Sequence, residues 1–286
     1  MITIRELRYG MNNLKSNAMV QDKIHNMMLK NLNREHLRDL RNTMLHVAYV
    51  PEEWKRATVI PIRNQNKPSE EPESFRPISL TPCLGKIMQR IINRRISCTL
   101  EKNGQRFKTQ AHFRKGRSTL DNIISLDHFI RQGFNHLSPT ITYAIFLDVS
   151  NRFDTIWIQG LLFKFSNKGI IGNILKWVAN LLQKSNIQRQ NRPNMIWRPR
   201  AESGSVALAP SSSLLLSTIS WSSPNQEEPF SSPTTLNAMG TPVAEKRRKI
   251  KLTPYLDRVS EWRRKWRFQF SGPKSSLVTF TRQKRN

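Results

Sequence analysis

The 286-residue chain carries a formal net charge of +27, from 47 Lys and Arg residues against 20 Asp and Glu residues, and 37% of its residues are hydrophobic. The hydrophobic share is sufficient for a packed core, which excludes a chain disordered throughout, and the length allows one large domain or two smaller ones. The charge favours a polyanionic partner such as nucleic acid through counterion release, although a generically basic surface or a mistranslated reading frame would also produce it.

Cysteine content and hydropathy exclude further classes of protein. The two cysteines, Cys83 and Cys98, are too few for a disulfide framework or a Cys-rich zinc site. A reducing intracellular compartment and no disulfide-linked partner are therefore expected. No apolar run reaches the roughly 18 residues of a membrane span, and the first 30 residues are polar rather than signal-like. Neither a membrane partner nor secretion is expected.

The first predicted helix begins behind Asn33, a plausible N-cap residue. Pro51 forbids its continuation, so the helix is expected to end near Tyr49. Apolar residues recur along it at helical spacing: Leu37, Leu40, Met44 and Val47.

A second long helix is predicted after a loop around residues 66 to 77. An apolar stripe between Leu84 and Leu100 indicates a face that packs in the core. The other face carries Arg90, Arg94 and Arg95, which suit either a solvated surface or a nucleic-acid contact.

Residues 141 to 149, ITYAIFLDV, are typical of a short buried strand with a carboxylate, Asp148, at its end. Two helices are predicted after it, the first around residues 157 to 165 and the second around residues 174 to 182. Gly169 is well placed to end the first of them.

The composition changes after about Arg198, where Ser, Pro and Thr replace the periodic sequence. This predicts a segment, 198–250, that does not pack as it stands. Regular structure is expected again at EWRRKWRFQF, in which Trp262 and Trp266 alternate with basic residues. Such a mixture can stack on nucleic acid, and it also suits an ordinary corner between a helix and a strand.

Four segments in this order resemble the reverse transcriptases of non-LTR retrotransposons, particularly the jockey-like group: PEEWKRATVIPI, SFRPISLTPCLGKIMQRIINRRI, QAHFRKGRSTLDNI and FLDVSNRFDTIW. A fifth segment, WRRKWRFQFSGPKSSLVTFT, resembles the family sequence that follows the catalytic aspartate pair. The resemblance covers roughly residues 45 to 190 and 255 to 282. Group II intron maturases share the polymerase domain arrangement, but the amino-acid sequences of these segments match the mobile non-LTR elements better.

The fold that this resemblance implies is α+β, a right-hand polymerase with fingers and palm. A helical lead-in is expected over 1–44, the fingers over 45–140 and the first part of the palm over 141–197. After the Ser/Pro-rich segment 198–250, residues 251–286 would be a remnant of the distal palm. The palm sheet is expected to be incomplete, without its central hairpin, and no thumb is expected.

The implied family activity is RNA-directed DNA synthesis, in which two divalent ions held by carboxylates assist transfer of a nucleotide to a primer 3′-hydroxyl. The implied cofactor is Mg²⁺, with Mn²⁺ as the alternative. The implied partners are an RNA template, a DNA primer and a dNTP, in an intracellular ribonucleoprotein of the nucleus or cytoplasm. Asp148 matches the family's first-motif aspartate, which implies a catalytic and metal-binding role. Asp154 completes the FD pair and is expected to be structural.

The resemblance also implies nucleotide-binding and nucleic-acid-binding residues. Arg76 matches a residue assigned to the incoming triphosphate, and Phe153 matches the aromatic residue that excludes a 2′-hydroxyl. Gln110 and Arg114 match a segment near nucleotide and template, and Lys274 matches a palm lysine. Further nucleic-acid contacts are expected from basic and aromatic residues: Arg94, Arg95, Trp262 and Trp266.

The family's Phe/Tyr-Ala-Asp-Asp turn is missing, since no two aspartates are adjacent anywhere in the chain. One carboxylate cannot organise two ions, so this copy is expected to be inactive. Other positions also depart from the family pattern: Asn64, His112, Asn151, Arg152 and Ser271.

A reading-frame hypothesis accounts for the missing turn. Residues 231–235, Ser-Ser-Pro-Thr-Thr, could be encoded TCT TCG CCG ACG ACA, which in a neighbouring frame reads TTC GCC GAC GAC, or Phe-Ala-Asp-Asp. Gly204, Ser205 and Val206 still match the family, so the frame would break soon after them and be restored before Trp262. Two alternatives to a decayed polymerase stay open: a non-catalytic basic RNA-binding fragment, and the unexpressed product of a pseudogene.

Overall fold

The computed structural model divides the chain into two compact units. The first comprises Met1–Asn103 and Leu162–Ser212, and the second Gly104–Leu161 and Ser213–Asn286. The structure describes residues 1–12, 22–63, 65, 74–104, 116–135, 141–150, 157–183, 187–189, 230–231, 235–239 and 248–282. The domain boundaries expected from the sequence stay predictions.

Helices and strands alternate irregularly along the described residues. The helices are α1 (Ile4–Met11), α2 (Asn26–Asn31), α3 (Arg34–His46), α4 (Glu52–Lys55), α5 (Cys83–Lys102), α6 (Thr119–Phe134), α7 (Ile158–Asn167), α8 (Gly172–Leu182) and α9 (Arg248–Trp266). The strands are β1 (Ala57–Arg63), β2 (Phe75–Leu80), β3 (Thr142–Ser150), β4 (Ile187–Arg189), β5 (Phe230–Ser231), β6 (Thr235–Met239), β7 (Gln269–Phe270) and β8 (Ser276–Phe280). In the described part of the chain, no helix combines the length and apolar composition needed to cross a membrane.

Helix α5 forms the centre of the first unit's core, as its apolar stripe predicts. Its buried face includes Ile87, Met88, Ile91, Ile92, Ile96 and Leu100. Helix α1 approaches it closely at Gly10, where an added Cβ would lie 2.9 Å from the Cγ2 atom of Ile87. The strands of this unit form a sheet in the order β2-β1-β4, with β1 antiparallel to β2 and parallel to β4.

Helix α3 confirms the predicted helix behind Asn33. The Asn33 side-chain oxygen accepts hydrogen bonds from the backbone N–H groups of Glu35, at 2.8 Å, and His36, at 3.4 Å. The helix ends at His46, three residues before the predicted end, because Ala48 takes a left-handed conformation with φ of 53°. Gly169 ends α7, the first of the two helices predicted after the Asp148 strand, as expected. Its φ is 79°.

Arg41 is a fully buried arginine on α3. Its Nη1 donates to the backbone carbonyl of Leu37 at 3.3 Å, and its Nη2 donates to that of Leu84 at 3.4 Å. Its Nε has no hydrogen-bond partner among the described residues. Burial lowers the pKa of Arg41 to about 10, since desolvation disfavours the charged form.

The sheet of the second unit is built around β3. Strand β6 pairs antiparallel with one edge of β3, and β5 lies outside β6. Strands β7 and β8 pair with the other edge, β7 at Val149 and Ser150 and β8 from Thr142 to Phe146. A 3₁₀ turn, Gly272–Lys274, connects β7 to β8.

The hairpin formed by β5 and β6 corrects the prediction that the sheet lacks its central hairpin. Phe230 pairs with Ala238 and Ser231 with Asn237, and β6 continues beside β3 from Met239 to Thr235. Strand pairing uses backbone groups, so the hairpin does not require the aspartates that the sequence lacks. Most of the remaining Ser/Pro-rich segment lies outside the described residues.

Candidate functional site

Asp148 lies near the carboxyl end of β3, as predicted, with backbone partners on both edges. Its Cα is directly opposite that of Thr235 in the antiparallel pairing with β6. Pairing with β7 on the other edge begins at the next residue, Val149, which is opposite Phe270. The Asp148 side chain is 31% exposed, so its carboxylate is accessible to solvent and to ligands.

Two serines fix the 3₁₀ turn against the backbone of Asp148. The Ser271 N–H donates to the Asp148 carbonyl at 2.8 Å, and the Asp148 N–H donates to Ser275 Oγ at 3.4 Å. Ser275 Oγ in turn donates to the Ser271 carbonyl at 2.7 Å. Sequence reasoning did not identify Ser275, and it treated Ser271 only as a departure from the family pattern.

This turn brings Lys274 to the candidate site. Its Nζ lies 3.8 Å from Asp148 Oδ2, while the lysine side chain itself is 75% exposed. Solvent screens a pair so exposed, and it contributes at most about 1 kcal/mol to stability. The resemblance implied a metal-binding role for Asp148 and a nucleotide-binding role for Lys274, and the structure brings these two side chains within 3.8 Å of each other.

The described residues do not fit a pair of divalent ions. Asp148 supplies one carboxylate, and its charged neighbour Lys274 is a cation that repels metal ions. Among the residues that the structure describes, no three His, Cys, Asp or Glu side chains gather into a metal-binding group. Two-ion catalysis requires acidic ligands around both ions.

The other residues assigned to nucleotide or template are only partly described. The backbone of Arg76 is part of β2, opposite Ile62 of β1, in the first unit. Three others, Gln110, Arg114 and Phe153, lie outside the described residues, as does Asp154, which was expected to be structural. Their roles stay predictions.

Arg94 and Arg95 on α5 both contact α1 or the residues before it. The Arg94 guanidinium lies 4.0 Å from the centroid of the Tyr9 ring, a cation–π distance. Arg95 donates from Nε to Glu6 Oε1 at 2.7 Å and from Nη2 to Glu6 Oε2 at 2.8 Å. This bidentate pair lowers the pKa of Glu6 to about 2. Nucleic-acid binding by these arginines stays a prediction.

Glu6 also belongs to a local motif that the sequence could have revealed. The Thr3 hydroxyl accepts from the Glu6 N–H at 3.2 Å, and the Glu6 carboxylate accepts from the Thr3 N–H at 2.9 Å. This reciprocal arrangement is a capping box, whose Thr-x-x-Glu spacing is visible in the first six residues.

Trp262 and Trp266 lie in a corner between α9 and β7. The Trp262 ring stacks on Phe268, with centroids 5.4 Å apart and planes at 21°. The Trp266 ring lies 6.3 Å from that of Trp157, at 54°. The guanidinium of Arg267 lies 5.0 Å from the centroid of the Trp157 ring. The segment thus forms the corner between a helix and a strand that was one of its two interpretations. Nucleic-acid binding, the other interpretation, stays a prediction.

Comparison with known proteins shows which proteins this chain resembles. Residues 63–201 match the family model described as "Reverse transcriptase (RNA-dependent DNA polymerase)". The chain is 35% identical over 123 residues to the "Probable RNA-directed DNA polymerase from transposon BS" of Drosophila melanogaster, covering 43% of this chain and 13% of that protein. It is 32% identical over 146 residues to the "Probable RNA-directed DNA polymerase from transposon X-element" of the same species, covering 50% and 16%.

A third relative is the "RNA-directed DNA polymerase from mobile element jockey" of Drosophila melanogaster, 33% identical over 123 residues that cover 43% of this chain and 13% of that protein. The chain thus spans 13% to 16% of the length of these three relatives. Reverse transcriptases as a family use divalent metal ions and bind a nucleic-acid template and primer. Over residues 63–201 the chain is similar to reverse transcriptases, and the three relatives are RNA-directed DNA polymerases of transposons or mobile elements.

Proposed function

We propose that this chain is a polymerase module of a jockey-like non-LTR retrotransposon and that this copy does not catalyse the family's RNA-directed DNA synthesis. The module would act on an RNA template, a DNA primer and dNTPs within an intracellular ribonucleoprotein. Residues 45–140 are assigned to the fingers, and residues 141–197 and 251–286 to the palm. The family match over residues 63–201 supports the polymerase assignment.

The pairing of Asp148 with Thr235 is the main observation that supports the proposed lack of catalytic activity. Directly opposite positions of an antiparallel pair project their Cβ atoms to the same face, about 5 Å apart. A carboxylate at position 235 could therefore share a metal ion with Asp148. This chain has threonine there and lysine at position 274 on the other side of Asp148.

The position of the hairpin agrees with the reading-frame hypothesis. In the hypothetical codons, the second aspartate of Phe-Ala-Asp-Asp takes most of its codon from that of Thr235. The frame shift would thus remove a carboxylate from the position opposite Asp148. Sequencing the genomic locus tests this step, because an in-frame origin without hidden Asp-Asp coding contradicts it.

A second candidate function is non-catalytic RNA binding, favoured by the net charge of +27. It predicts steep salt dependence of RNA affinity and no nucleotide incorporation. A third alternative, an unexpressed pseudogene product, is tested by searching host cells for the peptide.

Primer extension on poly(A)–oligo(dT) with Mg²⁺ or Mn²⁺ tests the polymerase proposal. Four proteins are compared: the unmodified chain, Asp148→Ala, the double variant Thr234→Asp/Thr235→Asp, and this double variant with Asp148→Ala added. We expect extension only by the double variant, and its loss when Asp148→Ala is added. Asp148-dependent extension by the unmodified chain would overturn the proposed inactivity. Absence of extension from a folded double variant would favour the RNA-binding alternative.

A further inference from the structure

We propose that the corner between α9 and β7 binds single-stranded nucleic acid, with unpaired bases stacking on its indole rings and phosphates contacting its cations. The α9–β7 corner is defined here by Trp157, Arg264, Lys265, Trp266 and Arg267. The inference does not depend on polymerase activity, because stacking and phosphate contact require neither a nucleotide nor a metal ion.

The first observation is a pair of neighbouring indoles that are each only partly buried. The Trp157 indole packs against Gly160, where an added Cβ would lie 2.2 Å from the indole Cε3 atom. The Trp157 Nε1 donates to Gln159 Oε1 at 3.3 Å. Trp266 lies 6.3 Å away at a tilt of 54°. Two partly buried indole rings at neighbouring positions form a platform suited to unpaired bases.

The second observation is the backbone of Arg267. Its φ of 58° is left-handed, and it directly follows the last residue of α9. The N–H of Phe268 donates to the Arg263 carbonyl at 3.0 Å, which is the closing bond of a Schellman motif. Glycine is the favoured residue at such a position, and any other residue is strained there.

That strained position keeps a cation at the platform, since the Arg267 guanidinium lies 5.0 Å from the centroid of the Trp157 ring. Residues held in unfavourable backbone conformations are concentrated at functional sites. An arginine beside an indole combines phosphate contact with base stacking, and both are used in single-strand recognition.

The third observation is the charge around the platform. Arg264 and Lys265 lie in the last turn of α9, and both are exposed, as is Arg267. Their shared positive sign favours a polyanion and release of its counterions. Single strands are favoured over duplexes because the bases of a duplex are already stacked on one another and cannot cover the indoles.

The corner is also continuous with the strand that carries Asp148. Gln269, two residues after Arg267, is opposite Ser150 of β3. Ser271 then donates to the Asp148 carbonyl. The corner is thus joined by a short stretch of chain to the backbone of Asp148.

Fluorescence anisotropy with short labelled oligo(rU), oligo(dT) and a duplex of equal length tests the inference at several salt concentrations, without metal or nucleotide. We expect the single strands to bind more tightly than the duplex, and comparison of oligo(rU) with oligo(dT) distinguishes RNA from DNA. Trp157→Leu should weaken single-strand binding about tenfold or more with an unchanged salt slope. Arg264→Ala should reduce the salt slope by about one.

Arg267→Gly separates a binding role from a structural one. Glycine relieves the left-handed strain, so this variant should melt at the same or a higher temperature than the unmodified chain while binding single strands several-fold more weakly. Unchanged binding by a folded Arg267→Gly variant would refute the role of this guanidinium.

Two matched substitutions outside the corner serve as controls. Phe163→Leu removes an aromatic side chain that is 66% exposed on α7, and Arg131→Ala removes an exposed arginine on α6. Phe163→Leu should change binding less than twofold, and Arg131→Ala should do so beyond the small electrostatic effect of its lost charge. Equal losses in the control and corner variants, or equal affinity for duplex and single strand, would overturn the inference and leave non-specific electrostatic binding. None of these results depends on whether the chain polymerises DNA.

Discussion

Asp148 and Thr235 occupy directly opposite positions on the neighbouring strands β3 and β6. The hairpin that pairs with β3 is thus present, although the sequence around it has no pair of adjacent aspartates. Backbone geometry and side-chain chemistry are separable at this place: the strands pair in register, and the residue opposite Asp148 is a threonine. A single substitution can therefore test whether the geometry still supports metal binding.

We expect Thr235→Asp to create an Asp148-dependent Mn²⁺ site. Without metal, two carboxylates directly opposite each other should lower stability by about 0.2–1 kcal/mol and reduce the melting temperature. Mn²⁺ should reverse the loss, with an affinity about tenfold above that of the unmodified chain, because affinity rises with the number of acidic ligands. Calorimetric titration and thermal melting with and without Mn²⁺ measure both effects.

Thr279→Asp is the matched control for this prediction. Thr279 is exposed on β8 and lies opposite Tyr143. The substitution Thr279→Asp therefore adds the same charge to the same sheet, away from position 148. An equal gain of Mn²⁺ affinity in both aspartate variants, or a gain that survives Asp148→Ala, would show that the register does not create the site.

Replacement of Arg41 by methionine should leave the first unit at least as stable as before. The guanidinium is fully buried without a carboxylate partner in the described part of the chain, and both carbonyls that it contacts lie within helices. Removing such a charge while keeping the volume should raise the free energy of unfolding by about 1–3 kcal/mol. Urea denaturation measures the change.

Arg38→Met, on the same helix, is the control for Arg41→Met. Arg38 is partly exposed and pairs with the neighbouring Asp39 at 2.8 Å, so its replacement should change stability by less than about 0.5 kcal/mol. A loss of more than about 1 kcal/mol in Arg41→Met would indicate that the buried charge stabilises the fold.

Glu6→Gln should destabilise the chain at neutral pH, and the difference should vanish in acid. The partners Arg95 and Thr3 lower the pKa of Glu6 from 4.5 to about 2 in the folded chain. A lowered carboxylate pKa contributes stability that is fully present above pH 4.5 and is lost as the pH falls through about 2. After allowance for solvent screening, we expect a loss of about 1–2 kcal/mol.

Urea denaturation between neutral pH and about pH 2 measures this dependence. Asp127→Asn is the control, since the Asp127 pair with Arg131 on α6 is exposed, with side-chain exposures of 56% and 73%. This variant should lose less than about 0.5 kcal/mol. A Glu6→Gln difference that is constant over the whole pH range would contradict the electrostatic explanation.

Gly169→Ala should destabilise the connection between α7 and α8 through the backbone alone. Gly169 has φ of 79°, and an added Cβ would meet only Asn103 Nδ2 at an ordinary distance of 3.5 Å. The expected cost is about 1 kcal/mol, from the left-handed conformation. Asn167→Ala, an exposed substitution in the last turn of α7, should change stability by less than about 0.5 kcal/mol. Equal melting temperatures for the two variants would contradict the prediction.

Local signals in the sequence predicted several of the helices, including α3, α5, α7 and α8. Asn33 marked the beginning of α3 because a cap is a short-range hydrogen-bond pattern. The apolar spacing predicted α5, and Gly169 was correctly assigned to the end of α7. Each of these features depends on residues within a few positions of one another, so a linear sequence contains the necessary information.

Features that depend on distant residues were not predictable in the same way. Glu6 and Arg95 are separated by 89 positions, and nothing in either neighbourhood indicates the other. The β5–β6 hairpin was missed because β5 has two residues and its Ser-rich surroundings have no strand periodicity. Family resemblance singled out Lys274 but not its position beside Asp148, and the serine hydrogen bonds that position it became evident only in three dimensions.

All of the described strands that pair with β3, namely β6, β7 and β8, come from residues beyond 230. A fragment limited to the family match, residues 63–201, would therefore lack every described strand that pairs with β3. The sequence of β3, TYAIFLDVS, is largely apolar or β-branched, and an unpaired edge of such a strand recruits strands from other molecules. Expression of that fragment alone should yield aggregates, whereas co-expression with residues 213–286 supplies the missing strands.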